Sequence, residues 1–321
     1  MPQKTATGRA GIWACVGVAA LLLMPLFLSR FYVYLASLVI LYGLFATSLN
    51  IALGYGGIYQ FGHAIFFGAG AYGAALIITK AGLSPWVGFV VGPLVSVALS
   101  VVIGLICIRL SKLYFGMLQI SLSYLLWIIA YRWRDFTGGE NGIHGIAVPD
   151  VISSPKGTYY FTLLITAASL FVVYRMIKSP FGSALQGVRD NPLRSEMIGV
   201  NVRRHQLAAL AYSGFFAGIA GVLFVAVDNA VFPNMLFWTL GMEAMIMCLL
   251  GGMYTFAGPM LGAALIVLLR TFVGSFTVYW GLFIGSILVA VIFFLPDGIM
   301  GRFQRTGRRI VDSAKEEACY K

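Results

Sequence analysis

From Trp86 to Ile108 the chain runs for 23 residues without a charged side chain. A helix of about 20 apolar residues is long enough to cross the hydrocarbon core of a bilayer. Similar blocks follow one another along the chain. In hydrocarbon every backbone polar group must find a partner within the protein, which leaves helices and closed barrels. A barrel would show alternating segments of about 10 residues. Continuous blocks such as Ile12–Leu28 read as helices instead. Composition agrees, with 60% apolar and 10% charged residues; a soluble domain carries about 25% charged residues. An ordinary soluble enzyme is excluded.

The apolar pattern predicts an all-α polytopic membrane protein of about 10 transmembrane helices. The expected spans are 10–28, 32–53, 61–79, 86–108, 113–131, 159–177, 207–227, 237–250, 258–273 and 279–295. The first is too long for a signal-peptide core and reads as a retained anchor. The third, eighth and ninth are short or Gly-rich, which suggests broken or tilted helices. Residues 1–300 form one expected transmembrane domain, with a cytoplasmic segment at 178–206, and 301–321 form a basic cytoplasmic tail.

The net charge of +11 speaks to orientation rather than to nucleic acid. With the N-terminus inside, 16 Lys and Arg fall on the cytoplasmic side and 6 outside. That bias predicts two cytoplasmic termini. Six of the inside residues cluster at 175–204, and Arg270 is counted outside.

No catalytic constellation is legible. Cys15, Cys107, Cys248 and Cys319 lack metal or redox spacing, and His63, His144 and His205 are scattered. The Lys–Ser/Thr pairs at Lys4-Thr5 and Lys178-Ser179 follow no Gly, so no Walker A loop exists. A pump of this kind takes its ATPase from another chain.

The inside connection carries Arg189, Asn191, Pro192, Leu193, Glu196, Met197 and Gly199. Asn191 suits an N-cap and Pro192 the first helical position. Gly199 suits the residue past the end. Leu193 and Met197 share one face. The helix is shorter than the ~12 residues an isolated helix needs, so it requires a partner surface. Two readings stand: a coupling helix docked on a cytoplasmic motor, or a helix lying on the membrane interface.

Glu243 lies inside a span, where a carboxylate must be paired, protonated or in contact with water. It either lines a path or joins two helices. Asn50, Gln60 and His63 flank the Gly-rich stretch 54–57, where irregular backbone is tolerated only inside protein or beside a water-filled cavity. They line a path or satisfy helix ends. The patterns Gly214–Gly218 and Gly258–Gly262 predict close helix packing. The loop 137–145 is either a tight turn or a contact for an external partner. A weak echo relates residues 56–61 to 251–256.

Several stretches together resemble the LivM-type permease subunit of branched-chain amino-acid ABC importers, in the hydrophobic amino acid uptake family. They are Leu49–Gly57 with Gly62–Gly68, Gly138–Gly145, Phe181–Leu185 through Gly199–Asn201, Leu250–Gly252 with Gly258-Pro259, and Phe294–Gly298. They occur in family order over roughly residues 40–300. Departures fall at Ile58, Gln60, Gly241 and Tyr254, and urea, amide and small-carboxylate importers share this permease type.

The resemblance implies a bacterial inner-membrane importer. Its parts would be a second related permease, two cytoplasmic ATPases that bind ATP and Mg, and an extracytoplasmic solute-binding protein. This chain would hold no cofactor of its own. The resemblance favours ATPase coupling through Arg189–Gly199. The substrate path is expected along Asn50, Gln60, His63, Phe66, Phe67, Trp238 and Glu243, with Phe66, Phe67 and Trp238 narrowing it. A self-sufficient channel or ion-coupled carrier, with Glu243 as its ion site, is the rival reading.

Overall fold

A computed structural model describes residues 22–25, 28–110, 112–276, 279–294 and 298–302. Most of the expected first span and most of the basic tail lie outside the described residues. The fold is helical. Helix α1 is Arg30–Asn50 and continues as a π-helical turn, Ile51–Tyr55. Then come α2 Ala64–Thr79, α3 Pro85–Cys107, α4 Lys112–Arg132 and α5 Pro155–Ile177. Two shorter helices follow, α6 Pro180–Asp190 and α7 Pro192–Met197. Next are α8 Val202–Asp228, α9 Trp238–Gly251, α10 Gly258–Phe276 and α11 Trp280–Phe294. Among the described residues, six helices are long and apolar enough to cross a membrane.

Of the three spans expected to be broken or tilted, the third and eighth are shortened helices, while the ninth, α10, is a continuous helix of 19 residues. Helix α2 has 16 residues and α9 has 14. At 1.5 Å per residue these reach about 24 and 21 Å, less than the ~30 Å hydrocarbon core. The remaining depth is made up by non-helical chain, 56–63 before α2 and 229–237 before α9. Both segments are largely buried, through Ile58, Gln60 and His63 and through Val231, Met235 and Leu236, with Tyr59 and Asn234 exposed. Irregular backbone at membrane depth survives under that condition.

The core is built by close approach of α2, α3 and α8. A Cβ placed on Gly70 would meet Gly218 backbone at 2.5 Å, and one on Gly92 would meet the Gly70 carbonyl at 2.6 Å. Ser96 Oγ lies 2.8 Å from the Phe66 carbonyl and 2.6 Å from that of Gly214. The small residues of the 214–218 pattern therefore pack helices together, as their spacing predicts.

The connections segregate to two ends. At one end, the loop after α4 and the chain after α8 pair as a two-stranded ribbon. Its strands are β1, Ile143–His144, and β2, Ala230–Val231. Positive φ at Gly138 and Gly142 makes this loop a structured turn, and a Cβ on Gly138 would collide with the Gly142 carbonyl. At the other end gather residues 54–57, the α6–α7 segment and the α9–α10 connection. The segments 56–61 and 251–256, which echo each other in sequence, lie at this same end, where Asn50 Nδ2 donates to the Thr255 carbonyl at 3.4 Å.

Candidate functional site

The α6–α7 segment forms as its sequence predicts. Ser179 caps α6 by accepting from the Gly182 N–H at 3.5 Å. Leu185 and Val188 bury one face of α6 against the bundle. Asn191 Oδ1 accepts from the Arg194 N–H at 3.0 Å and starts α7, with Pro192 in its first turn. The far end closes through Gly199, at φ +88. Its N–H donates to Glu196 at 2.9 Å, and the Val200 N–H donates to Ser195 at 3.0 Å. This paired closure needs a left-handed residue at the position Gly199 holds. The six-residue helix and the residue that follows it carry apolar side chains outward: Leu193 is 70% exposed, Met197 86% and Ile198 77%.

Arg189 joins this segment to the bundle. Its Nη1 donates to the Gly54 carbonyl at 2.7 Å, at the π-helical end of α1. Its guanidinium stands 5.2 Å from the centre of the Tyr254 ring, in the α9–α10 connection. Asp190 pairs with the same guanidinium at 2.8 Å. Backbone of Gly298, in the final matching stretch, lies against Gly252 of that connection.

Behind Gly54 is a buried polar cluster. Ser48 Oγ lies 2.6 Å from the Phe45 carbonyl and 2.9 Å from His63 Nε2. A carbonyl only accepts, so Ser48 donates to it and Nε2 carries the imidazole proton. Nδ1 then remains a bare acceptor without a partner among the described residues. Ser213 Oγ lies 2.8 Å from the Ser48 carbonyl and 3.1 Å from Gln60 Oε1. The ring of Phe45 stacks on His63, and Phe66 meets it edge-on.

Asn50, Gln60, His63, Phe66 and Phe67 thus come together, but as closed interior; each is at most 1% exposed. Trp238 is half-buried at the start of α9 beside Phe237. Gly241 lets α9 approach the first break, where a Cβ would meet the Phe61 carbonyl at 2.6 Å.

Glu243 stands apart from that cluster. Helices α9 and α10 form a hairpin closed at its connection by Gly251, Gly258 and Gly262. A Cβ on Gly262 would collide with the Met247 carbonyl. Further along, the hairpin borders a cleft of about 360 Å³. Glu243 Oε2 and Arg270 Nη1 face each other there at 3.4 Å. Tyr42 and Phe224 line the cleft, and each ring also contacts Phe67 behind it. Arg270, counted with the outer charges from sequence, lies within α10, which runs on to Phe276. Ser48, Ser213, Arg270 and Tyr254 are site residues that local patterning does not reveal. Their partners are distant in sequence.

These features define a polytopic helical membrane protein with an exposed short helix and two shortened apolar helices. The family of the permease component of the branched-chain amino acid transport system matches residues 31–292, and the chain belongs to it. It is similar to the high-affinity branched-chain amino acid transport system permease protein LivM of Escherichia coli strain K12, 28% identical over 86% of this chain and 71% of that protein. It is similar to the probable branched-chain amino acid transport permease protein LivM of Methanocaldococcus jannaschii, 23% identical over 81% of this chain and 90% of that protein. A partial likeness links it to the autoinducer 2 import system permease protein LsrC of Photorhabdus laumondii, 30% identical over 44% of this chain and 43% of that one. No solved structure matches. The chain is a multi-pass membrane transport subunit of an ABC-type system rather than an enzyme.

Proposed function

We propose that this chain is the permease through which an ATP-driven importer passes branched-chain or other apolar amino acids, handed over by an extracytoplasmic solute-binding protein. A second related permease completes the path, and two ATPase subunits in the cytoplasm bind ATP and Mg. Residues 1–300 act as one transmembrane domain with both termini cytoplasmic. The relatives' names support the substrate class. The observation that carries the coupling is the capped α7 with Leu193, Met197 and Ile198 exposed. Three large apolar side chains held out on so short a segment fit a partner groove.

Motion of α6–α7 would reach the bundle through Arg189. It would shift the end of α1 and the tip of the α9–α10 hairpin together. The closed cluster of Asn50, Gln60, His63, Phe66 and Phe67 would then part for the substrate, with Trp238 and Glu243 beside the route. A free-standing carrier with Glu243 as its ion site is less well supported, because the matching family and the similar proteins are permease components of transport systems. The test is a mild-detergent pull-down of the tagged chain with its genomic neighbours co-expressed, read by mass spectrometry and ATPase activity. Recovery of a second permease and ATPases is expected; recovery of this chain alone, folded, overturns the reading.

A further inference from the structure

Glu243 and Arg270 set opposite charges side by side on neighbouring helices at membrane depth. Such residues are costly in lipid and are found facing water-filled cavities or protein interiors. Here they open into the cleft of about 360 Å³, within the size range of small-molecule sites. Of the other eight lining residues, Tyr34, Tyr42 and Thr271 carry hydroxyls and the remaining five are apolar. The pair itself is loose. Its 3.4 Å separation exceeds the 2.7–2.9 Å usual for a charge-assisted hydrogen bond. Glu243 keeps 24% and Arg270 52% of its side-chain surface exposed, so both remain reachable.

We propose that this cleft binds a free α-amino acid with an aliphatic side chain, the α-ammonium at Glu243, the α-carboxylate at Arg270 and the side chain on the apolar wall. The proposal rests on the permease reading and names the substrate contacts within it. A zwitterion entering a low-dielectric site needs both of its charges matched. An adjacent carboxylate and guanidinium supply that match. Urea or an amide has no charges to match, so it leaves the pair unengaged. A small carboxylate satisfies Arg270 and sets a like charge near Glu243. The cleft therefore discriminates among the solutes that permeases of this type carry.

The test uses the assembled importer in detergent with Thr271→Cys, a position on the cleft wall. Alkylation of the new thiol is timed with L-leucine, 3-methylbutylamine or 4-methylpentanoate present, against a parent complex lacking the substitution. Cys107 and Cys248 are buried. Saturating leucine should slow alkylation at least fivefold, while the amine and the acid at equal concentration slow it less than twofold. Adding Glu243→Gln or Arg270→Gln should abolish leucine protection and leave alkylation itself intact. Equal protection by all three solutes, or protection that survives both substitutions, overturns the proposal. Leucine uptake in proteoliposomes without protection places the substrate elsewhere and leaves the permease reading standing. Absence of amino-acid uptake together with absence of associated ATPases brings down both.

Discussion

Arg189 donates from Nη1 to the carbonyl oxygen of Gly54 at 2.7 Å. The residues lie 135 positions apart. One is in the exposed α6–α7 segment and the other is where α1 ends in a π-helical turn. The same guanidinium faces Tyr254 at the tip of the α9–α10 hairpin. One side chain on α6 therefore bridges the end of α1 and the α9–α10 connection. Glycine packing shuts the hairpin near that tip, and its other half borders the Glu243–Arg270 cleft.

Arg189→Lys should uncouple the importer. Lysine keeps the charge but lacks the planar fork that serves a carbonyl, a carboxylate and a ring together. A hydrogen bond from a charged group contributes about 1.5–3 kcal/mol. Substrate-stimulated ATP hydrolysis should fall about tenfold while co-purification of the ATPases is unchanged. Wild-type stimulation in the variant would show that this contact transmits nothing.

Leu193→Ala with Met197→Ala should remove ATPase association and spare membrane insertion. Both side chains are exposed, so their loss leaves no cavity in the permease. Normal yield and elution with no ATPase in the pull-down is the expected result.

The caps of α7 give a graded version of the same experiment. Asn191→Ala removes the bond to the Arg194 N–H, at a cost of about 1 kcal/mol. Gly199→Ala forces a Cβ into a backbone at φ +88, a strain of about 1 kcal/mol or more. Nothing lies within 4 Å of a Cβ at Gly199, so the effect is conformational alone. Each variant should weaken ATPase binding about fivefold in titrations with the purified partner.

Gly262→Ala should destabilise the hairpin, because its Cβ would collide with the Met247 carbonyl. Overpacking of this kind costs about 1–3 kcal/mol. Gly274→Ala, in the same helix with nothing within 4 Å of its Cβ, is the control and should be neutral or slightly stabilising. Thermal unfolding in detergent should separate the two by several degrees.

The helices are legible in the sequence because a span is a local property: a run of apolar residues bounded by charge or turn residues. The caps of α7 are legible for the same reason, since Asn191 and Gly199 act on backbone within a few residues. The shortness of α2 and α9 shows in their glycines and flanking turns. Pairings are a different matter. Glu243 and Arg270 lie 27 residues apart, Gln60 and Ser213 153. Nothing in either neighbourhood encodes the other, so Glu243 reads as a lone carboxylate and Ser213 as an ordinary helix residue. Asn50, Gln60 and His63 are picked out by polarity, but polarity does not tell the closed interior they form part of from an open route. Tyr254 carries no local signal of its own, and its ring contact with Arg189 shows only in the structure.

The most direct measurement places a photo-activatable cross-linker at position 197, where the side chain is 86% exposed, in cells that co-express the neighbouring transport genes. The account predicts a cross-link between this position and an ATPase subunit, abolished by Leu193→Ala. Capture of lipid alone, with the ATPases present in the same membranes, would contradict it.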